Sequence, residues 1–331
     1  MTTQSADMAT NLHDIAHWAT SRGDSVALVL HHQGKPVLRL GPCDRPGPVN
    51  SVRKSLLGAL YGVAVRQGDI DTNLTLRATG FDEMPGLTEH ERQATLWQLL
   101  CARSGIYLPT PKQPGDTADY PPLRSRPGQR HWLHDPRPLR GAFEPGSKWF
   151  YNNWDFNVAG LLFEQLTGKS VFLAFDRLIA QPMGLKHFDP FEHGNYLYRD
   201  DYLGASIRAP YYQFSMTADD LAAFGQLCLD QGEFKGQSLV PAEWLKSITQ
   251  PISTTGLKGM FSHYGGMWWV APSSNGRHAF TAFGARGHFI GVLPDVDAVI
   301  VIHCLEADAA PLVTEDDYED VVSLIRRTFT R

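Results

Sequence analysis

A serine and a lysine stand three residues apart, as Ser51 and Lys54, in the apolar run "SVRKSLLGALYG". Residues i and i+3 share one face of a helix, about 5 to 6 Å apart at Cβ, so a lysine can reach the serine hydroxyl. Serine needs such a base to attack an acyl carbon, and lysine can act as one when burial or a nearby positive charge lowers its pKa from about 10.4. The pair therefore predicts a nucleophile with its base, or a serine that only caps the helix.

A tyrosine and an asparagine, Tyr151 and Asn153, stand just before a segment with the apolar spacing of a helix. The tyrosine hydroxyl could exchange a proton with Ser51 and Lys54. The Asn153 amide could bond to the lysine or to a substrate carbonyl. The alternative is structural, with Asn153 as the helix cap and Tyr151 as a buried aromatic residue.

A glycine-rich strand is predicted over residues 283–294, "FGARGHFIGVLP". Glycine inside a strand often marks a place where a ligand or another backbone comes close. An edge strand here would offer a backbone NH to a developing oxyanion. A bulge or a turn is the alternative.

Taken in order, these elements resemble the serine hydrolases of the β-lactamase and penicillin-binding-protein superfamily. The likeness is greatest to the class C-like branch of carboxylesterases, D-amino-acid peptidases and nylon-oligomer hydrolases, and it covers nearly the whole chain. Besides the segment around Ser51, it rests on three blocks: "ATLWQLLCARSGIY", "EPGSKWFYNNWDFNVAGLLFEQLTGKS" and "TADDLAAFGQLCLDQGEFKGQSLVPAEWL".

The resemblance implies a role for each polar residue of the first two elements. Ser51 would be the acylated nucleophile and Lys54 its first proton partner. Tyr151 and Asn153 would be the tyrosine and the amide of the family's Y-x-N motif. The backbone NH groups of Ser51 and His288 would form the oxyanion hole.

The third motif departs from the family pattern. The family usually has Lys-Thr-Gly, or His followed by a small residue and glycine, whereas the best match here is Ala285-Arg286-Gly287. Gly287 keeps the oxyanion geometry, but the usual partner of a penicillin carboxylate is missing. Arg286 is a candidate replacement, although alternation along a strand would point it to the face opposite Ala285. An esterase or amidase is therefore favoured over a β-lactamase.

The order of elements predicts an α+β fold. Strand patterns lie near both ends, including a hairpin over residues 25–41 with a turn at Gln33-Gly34, and helical patterns lie between them. We expect an antiparallel sheet built from both termini and flanked by helices, with a large, mainly helical insertion, as in β-lactamases. The predicted sheet domain comprises residues 1–50 and 260–331, and the helical region comprises residues 51–259.

Residues 107–143 are rich in proline and show little periodicity. A connection of this length is typical of a lid or a binding loop, so we predict a lid over the active site, with a surface excursion as the alternative. Aromatic residues in this region and elsewhere are candidate pocket residues, with burial in the core as the alternative: Tyr107, Tyr120, Trp154, Tyr211 and Tyr212.

Composition excludes several partners. The chain has 331 residues, 43% of them hydrophobic, and a formal net charge of -5. Without a long basic run, we expect neither a nucleic-acid partner nor binding to an anionic membrane. No apolar run has the length of a membrane span, and the first twenty residues do not resemble a signal peptide, so the expected compartment is the cytoplasm.

The cysteines and histidines indicate neither a disulfide framework nor a metal. The cysteines are far apart and form no CxxC pair, which predicts free, buried or partly buried thiols: Cys43, Cys101, Cys228 and Cys304. The histidine pair in "HWLH" has no acidic third ligand at helical spacing, so we expect no metal site. No cofactor is implied.

The leading hypothesis is a serine hydrolase that acts on a small ester or amide of apolar character. One alternative is β-lactamase or D-peptidase activity on the same fold. Another is a protein that is acylated but never releases the acyl group, or an interaction domain without chemistry. No GxSxG elbow supports an α/β-hydrolase, and the substrate and oligomeric state stay open.

Overall fold

The computed structural model of the chain describes residues 3–82, 86–108, 138, 140–197, 209–305 and 313–330. Tyr120, "HWLH" and most of the predicted lid lie outside these residues. The described part contains ten α-helices: α1 (Thr3–Ser21), α2 (Arg53–Gln67), α3 (Leu76–Thr79), α4 (Leu96–Leu100), α5 (Asn153–Thr167), α6 (Val171–Phe175), α7 (Gln181–Met183), α8 (Ala218–Leu229), α9 (Ala242–Ile248) and α10 (Glu315–Phe329).

The described residues also form thirteen strands: β1 (Val26–His32), β2 (Lys35–Leu40), β3 (Gly47–Pro48), β4 (Gly194–Leu197), β5 (Tyr211–Met216), β6 (Glu233–Phe234), β7 (Gln237–Ser238), β8 (Ser253–Thr254), β9 (His263–Tyr264), β10 (Trp269–Ala271), β11 (Ala279–Gly284), β12 (His288–Leu293) and β13 (Ala298–Cys304). The longer ones, apart from β5, lie near the two ends of the chain.

The main sheet has eight strands in the order β2-β1-β13-β12-β11-β10-β9-β8, and every neighbouring pair is antiparallel. The β1–β2 hairpin turns at Gln33 and Gly34, which both have positive φ, as a tight hairpin turn requires. Because β1 comes from one end of the chain and β13 from the other, the sheet joins both termini. The predicted α+β, β-lactamase-like fold is confirmed.

Helices cover both faces of this sheet. A Cβ on Gly225 of α8 would meet Ile290 of β12, whereas a Cβ on the next strand residue, Gly291, would meet Tyr318 of α10. Successive residues of a strand point to opposite faces, so α8 and α10 lie on opposite sides. Tyr318 also stacks on Phe289, with ring centroids 4.4 Å apart.

Helix α2 carries the predicted nucleophile segment through the core. Its first twelve residues are buried, and it contacts α5, α6, α9 and strands β5 and β11. A helix that is enclosed on all sides needs apolar residues all round, which explains the run "SLLGALYG". It ends at Gly68, whose left-handed conformation (φ 77°) is that of a glycine C-cap.

The prediction of a single strand over residues 283–294 is wrong. Strand β11 ends at Gly284 and β12 begins at His288, and the two are joined by a turn in which Arg286 and Gly287 have φ of 78° and 93°. These angles are incompatible with extended backbone. Strand alternation therefore does not set the direction of Arg286, and the turn considered as an alternative is the correct interpretation.

Within the described ranges, no single helix is long and apolar enough to cross a membrane. Helix α5 and the helical segment Val171–Met183 meet those criteria only as a pair, bent by 74°.

Candidate active site

Ser51 lies in a short 3₁₀ turn, Asn50–Val52, that leads directly into α2. The residue that precedes α2 is Val52, and no side chain caps the helix, so the interpretation of Ser51 as a cap is wrong. The backbone NH of Ser51 belongs to the first turn of this helical segment, where NH groups have no intrahelical acceptor. It is therefore available to a substrate oxygen.

Asn50 ties the nucleophile turn to the β11–β12 hairpin. It has a positive φ of 49°, and its Nδ2 donates to the carbonyl oxygen of Ala285 at 2.7 Å. The preceding residue, Val49, donates its NH to Phe214 of β5 at 2.9 Å. Ser51 is thus held between strand β5 and the β11–β12 turn, which come from distant parts of the sequence.

Lys54 is buried and contacts both other members of the predicted catalytic group. Its Nζ lies 2.5 Å from Ser51 Oγ and 2.8 Å from the Tyr151 hydroxyl. Burial, and after it the positive charge of Arg53, lower the pKa of Lys54 well below its ordinary value. A neutral lysine nitrogen beside Ser51 Oγ can accept the serine proton.

Tyr151 is fixed by aromatic neighbours from the sheet. Its ring stacks on Trp269 with centroids 5.4 Å apart and meets Tyr264 edge-on at 5.8 Å. Burial raises the pKa of Tyr151, although its hydrogen bond with Ser51 and the charge of Arg53 act in the opposite direction. The phenol therefore keeps its proton at neutral pH and can donate it.

Asn152, not Asn153, caps α5. The Asn152 side chain accepts from the NH of Trp154 and donates to the carbonyl of Ile106, so the predicted structural alternative for Asn153 is wrong. The side-chain oxygen of Asn153 is buried and has no hydrogen-bond partner within the described part of the chain. An unsatisfied acceptor is costly unless something fills it, and a lysine ammonium or a substrate NH would do so.

The glycine that lies against the nucleophile is Gly284. A Cβ there would come within 2.4 Å of the Val49 carbonyl oxygen and 3.2 Å of the Ser51 nitrogen. A Cβ on Gly287 would instead meet the Cys304 sulfur. The structure therefore brings Gly284 to Ser51, three residues before the predicted glycine.

This placement changes which residues flank the site. Ala285 follows Gly284, and its carbonyl is held by Asn50, so its NH is a candidate second oxyanion donor beside that of Ser51. Two residues before Gly284, on the same face of β11, stands Ala282, which is buried and carries no charge. The position two residues before this glycine is thus apolar.

His288 lies opposite Gly284 in the hairpin and is buried. Its Nδ1 is 2.8 Å from Nδ1 of His303, so one ring must donate and the other accept. Burial, and after it His303, lower the pKa of His288 well below its ordinary value. The side chain of His288 is therefore occupied by a buried pair rather than turned toward a substrate.

The four described aromatic candidates for the pocket are all buried. Trp154 packs edge-on against Phe81, in agreement with the core alternative. Tyr107 packs edge-on against Phe150 at 5.5 Å, and burial raises its pKa to about 12. Tyr211 and Tyr212 instead pack their rings against the guanidinium of Arg53.

Sequence reasoning missed Arg53 and the aromatic residues around Tyr151. Arg53 lies with its guanidinium carbon 3.9 Å from the ring centroid of Tyr211 and 4.1 Å from that of Tyr212. The available signal was a charged residue directly beside Lys54 in an otherwise apolar helix. Trp269 and Tyr264 gave no comparable signal, because their role depends on the position of β9 and β10.

The described residues hold no group of three or more metal-ligating side chains. The prediction for the cysteines is confirmed, since all four thiols are free and buried. Burial raises the pKa of Cys304 to about 12, so this thiol is unreactive at neutral pH.

Comparison with known proteins agrees with this geometry. The family model described as Beta-lactamase matches residues 13–322. A putative 6-aminohexanoate-dimer hydrolase from Bacillus anthracis is 21% identical, with a TM-score of 0.62, and the match covers 92% of this chain and 78% of that one. A putative β-lactamase from Bacteroides dorei is 16% identical, with a TM-score of 0.67 and coverage of 98% and 99%.

A D-stereospecific amidohydrolase from Streptomyces is 19% identical, with a TM-score of 0.61 and coverage of 97% and 98%. At these identities the solved structures establish a shared fold. Together with the family model, they confirm the resemblance predicted from the motifs.

Proposed function

Because this chain belongs to the β-lactamase family, we propose that it is a serine hydrolase that cleaves an ester or amide through an acyl-enzyme on Ser51. The observation that supports this most strongly is the contact of one buried nitrogen, Lys54 Nζ, with both Ser51 Oγ and the Tyr151 hydroxyl. A lysine that only stabilised the fold would not need two hydroxyl partners for its buried nitrogen.

In the proposed acylation, Ser51 Oγ attacks the carbonyl carbon while its proton moves to Lys54 Nζ. The oxyanion accepts hydrogen bonds from the NH groups of Ser51 and Ala285. The bond to the leaving group then breaks, and the leaving oxygen or nitrogen takes a proton from Tyr151, which Lys54 reprotonates. The directions of the two pKa shifts support Lys54 as the acceptor and Tyr151 as the donor.

Deacylation reverses these roles. A water molecule attacks the acyl carbon and gives up one proton to the same pair, and the bond between that carbon and Ser51 Oγ breaks. Ser51 recovers its proton, and the acid is released. Asn153 would orient the substrate through its unsatisfied side-chain oxygen, which suits an NH group near the scissile bond.

The test is covalent trapping with a fluorophosphonate and with short-chain p-nitrophenyl esters. We expect the intact mass of the wild type to rise by one phosphonyl or acyl group, located on the peptide that contains Ser51, and p-nitrophenol to be released in many turnovers. Ser51→Ala should carry no adduct. Ser55→Ala is the matched control, because Ser55 lies one turn further along α2 and donates to the Met267 carbonyl instead.

Equal labelling of wild type and Ser51→Ala would refute the assignment of the nucleophile. A stable acyl adduct on Ser51 with a single turnover would favour the acyl-binding alternative over a hydrolase.

The apolar third motif leads to a prediction about substrate class. Since Ala282 offers no cation to a penicillin-type carboxylate, wild type should hydrolyse a chromogenic cephalosporin with a much lower kcat/KM than p-nitrophenyl acetate. The measurement is kcat/KM for both substrates on one preparation. Comparable values would favour the β-lactamase alternative.

A further inference from the structure

Arg53 is fully buried in the first turn of α2, directly beside Lys54. Its Nη2 donates to the side-chain oxygen of Asn157 at 2.6 Å, while its Nε and Nη1 have no hydrogen-bond partner in the part of the chain that is described. The guanidinium lies over the rings of Tyr211 and Tyr212. No described carboxylate forms an ion pair with it.

A buried charge without a counterion is an expensive feature. Arginine stays protonated in proteins, and a buried charge is ordinarily paired with an opposite one. Contact with two tyrosine faces offsets part of the cost, since each desolvated cation–π contact is worth up to about 2 kcal/mol. It does not cancel the charge.

The residue that accepts the hydrogen bond from Arg53 is an asparagine, Asn157, where a carboxylate would have neutralised the charge. The Nδ2 of Asn157 is buried without a partner within the described residues, so the amide gains nothing there from being a donor. An aspartate has the same shape, would keep the bond from Arg53, and would neutralise it. The chain therefore leaves the charge of Arg53 uncompensated at a position where compensation is sterically simple.

The other ionisable groups around Lys54 bring no countercharge. Tyr264 of β9 packs on Tyr151, and Tyr211 and Tyr212 of β5 pack on Arg53. All three are phenols, and burial raises the pKa of each. The carboxyl of Asp155 on α5 is bonded to Ser104 Oγ at 2.6 Å, and burial raises its pKa well above the ordinary value. Among the described groups around Lys54, Arg53 thus carries the permanent positive charge.

We propose that Arg53 is a positioning residue whose uncompensated charge holds Lys54 in its neutral form, ready to accept the proton of Ser51. This proposal rests on the proposed function. Arg53 acts on Ser51 through Lys54, since a second cation nearby disfavours the ammonium form. The low pKa of Lys54 has burial as its first cause and the charge of Arg53 as its second.

The consequence for pH dependence has a definite sign. Lys54 is neutral above its pKa and protonated below it, so acylation is lost as the pH falls through that value. Any change that weakens the positive charge at Arg53 raises the pKa of Lys54. The acid limb of the kcat/KM profile should then move to higher pH.

The test follows the titration of Lys54 directly, by NMR of protein labelled with [¹³Cε]lysine, with Lys54→Met used to assign its resonance. Two variants weaken the charge by different routes: Arg53→Gln removes it, and Asn157→Asp pairs it. We expect the titration midpoint of Lys54 to rise by about one pH unit in both, and the acid limb for p-nitrophenyl acetate to rise with it.

Two controls separate charge from packing. Asn157→Leu removes the hydrogen bond but leaves Arg53 unpaired, so the midpoint should stay at the wild-type value. Arg66→Gln removes an arginine from the far end of α2, where it bonds to the carbonyls of Ser238 and Leu239, and should also leave the midpoint unchanged.

An unchanged Lys54 midpoint in Asn157→Asp, which keeps Arg53 in place and so does not depend on folding without it, would overturn the proposal. So would an equal rise in Asn157→Leu. The NMR titration needs no turnover, so it decides the role of Arg53 even if the chain proves not to hydrolyse esters.

Discussion

Lys54→Met is expected to lower kcat/KM for p-nitrophenyl acetate by about 10³-fold, within the range for loss of a general base, and to make the protein more stable. Both effects have the same physical origin. The lysine nitrogen is buried against two hydroxyls, where the proposed mechanism uses it for proton transfer and where it contributes little to packing. Methionine has a similar length and no charge to desolvate.

The stability gain depends on pH in a way that identifies its cause. The folded-state pKa of Lys54 is lowered, so between that value and the unfolded value of about 10.4 the unfolded chain binds more protons. The free energy of unfolding of the wild type therefore rises with pH across this window. In the Lys54→Met variant this contribution is absent.

We therefore expect Lys54→Met to exceed the wild type by about 1 to 2 kcal/mol at pH 7, with the difference narrowing toward pH 10. The hydroxyls of Ser51 and Tyr151 can keep their hydrogen bond to each other once the lysine is gone. Thermal or urea unfolding at several pH values measures the difference. Lys246→Met, at an exposed position of α9, is the matched control and should show no narrowing.

A variant that is less stable than the wild type at pH 7, or that retains turnover, would contradict this account of Lys54. The first result would mean that its hydrogen bonds outweigh its desolvation cost, and the second would assign proton transfer to Tyr151.

The contact between Ser51 and Lys54 could be predicted because the information for it is local. Ser51 and Lys54 are one helical turn apart, so their spacing predicts contact between the two side chains. Tyr151 could be placed beside them only through the resemblance of its motif to that of the family. The antiparallel sheet from both termini was predictable for a similar reason. Its strands carry alternating or continuous apolar patterns, and the Gln33-Gly34 turn marks the first hairpin.

The parts that could not be predicted depend on contacts between distant segments. Gly284 and Gly287 are three residues apart in one strand-like stretch, and only the turn between them decides which one lies against Ser51. That turn places a non-glycine residue, Arg286, at positive φ, which local propensity does not favour. Whether Arg53 meets a neutral or a charged partner depends on Asn157, which is 104 residues away in the sequence. No spacing rule relates residues so far apart.

The second prediction with a large expected effect concerns Gly284, the glycine that lies against Ser51. Gly284→Ala should lower kcat for ester hydrolysis by about 10²- to 10³-fold, the typical effect of losing one oxyanion donor. The added Cβ would lie 2.4 Å from the Val49 carbonyl oxygen, and backbone cannot move aside as a flexible side chain can. The β11 end and the nucleophile turn would have to separate, which displaces the Ala285 NH from that of Ser51.

A matched control lies on the nucleophile helix itself. A Cβ on Gly58 of α2 would make only ordinary contacts, at 3.6 Å or more, so Gly58→Ala should keep full activity. It should also add about 0.5 to 1 kcal/mol of stability, because alanine is the better helix former. The same chemical change is thus expected to have opposite outcomes at two glycines near one site.

The measurement is the pre-steady-state burst of p-nitrophenol followed by steady-state turnover, because the burst amplitude counts the folded, acylatable sites. We expect Gly284→Ala to keep most of its burst amplitude while the burst rate falls, which separates lost catalysis from lost protein. Overpacking costs typically about 1 to 3 kcal/mol, so assays are run well below the unfolding temperature. A wild-type burst rate in Gly284→Ala would show that the strand does not press on the nucleophile, and the oxyanion partner of Ser51 would then have to come from another part of the hairpin.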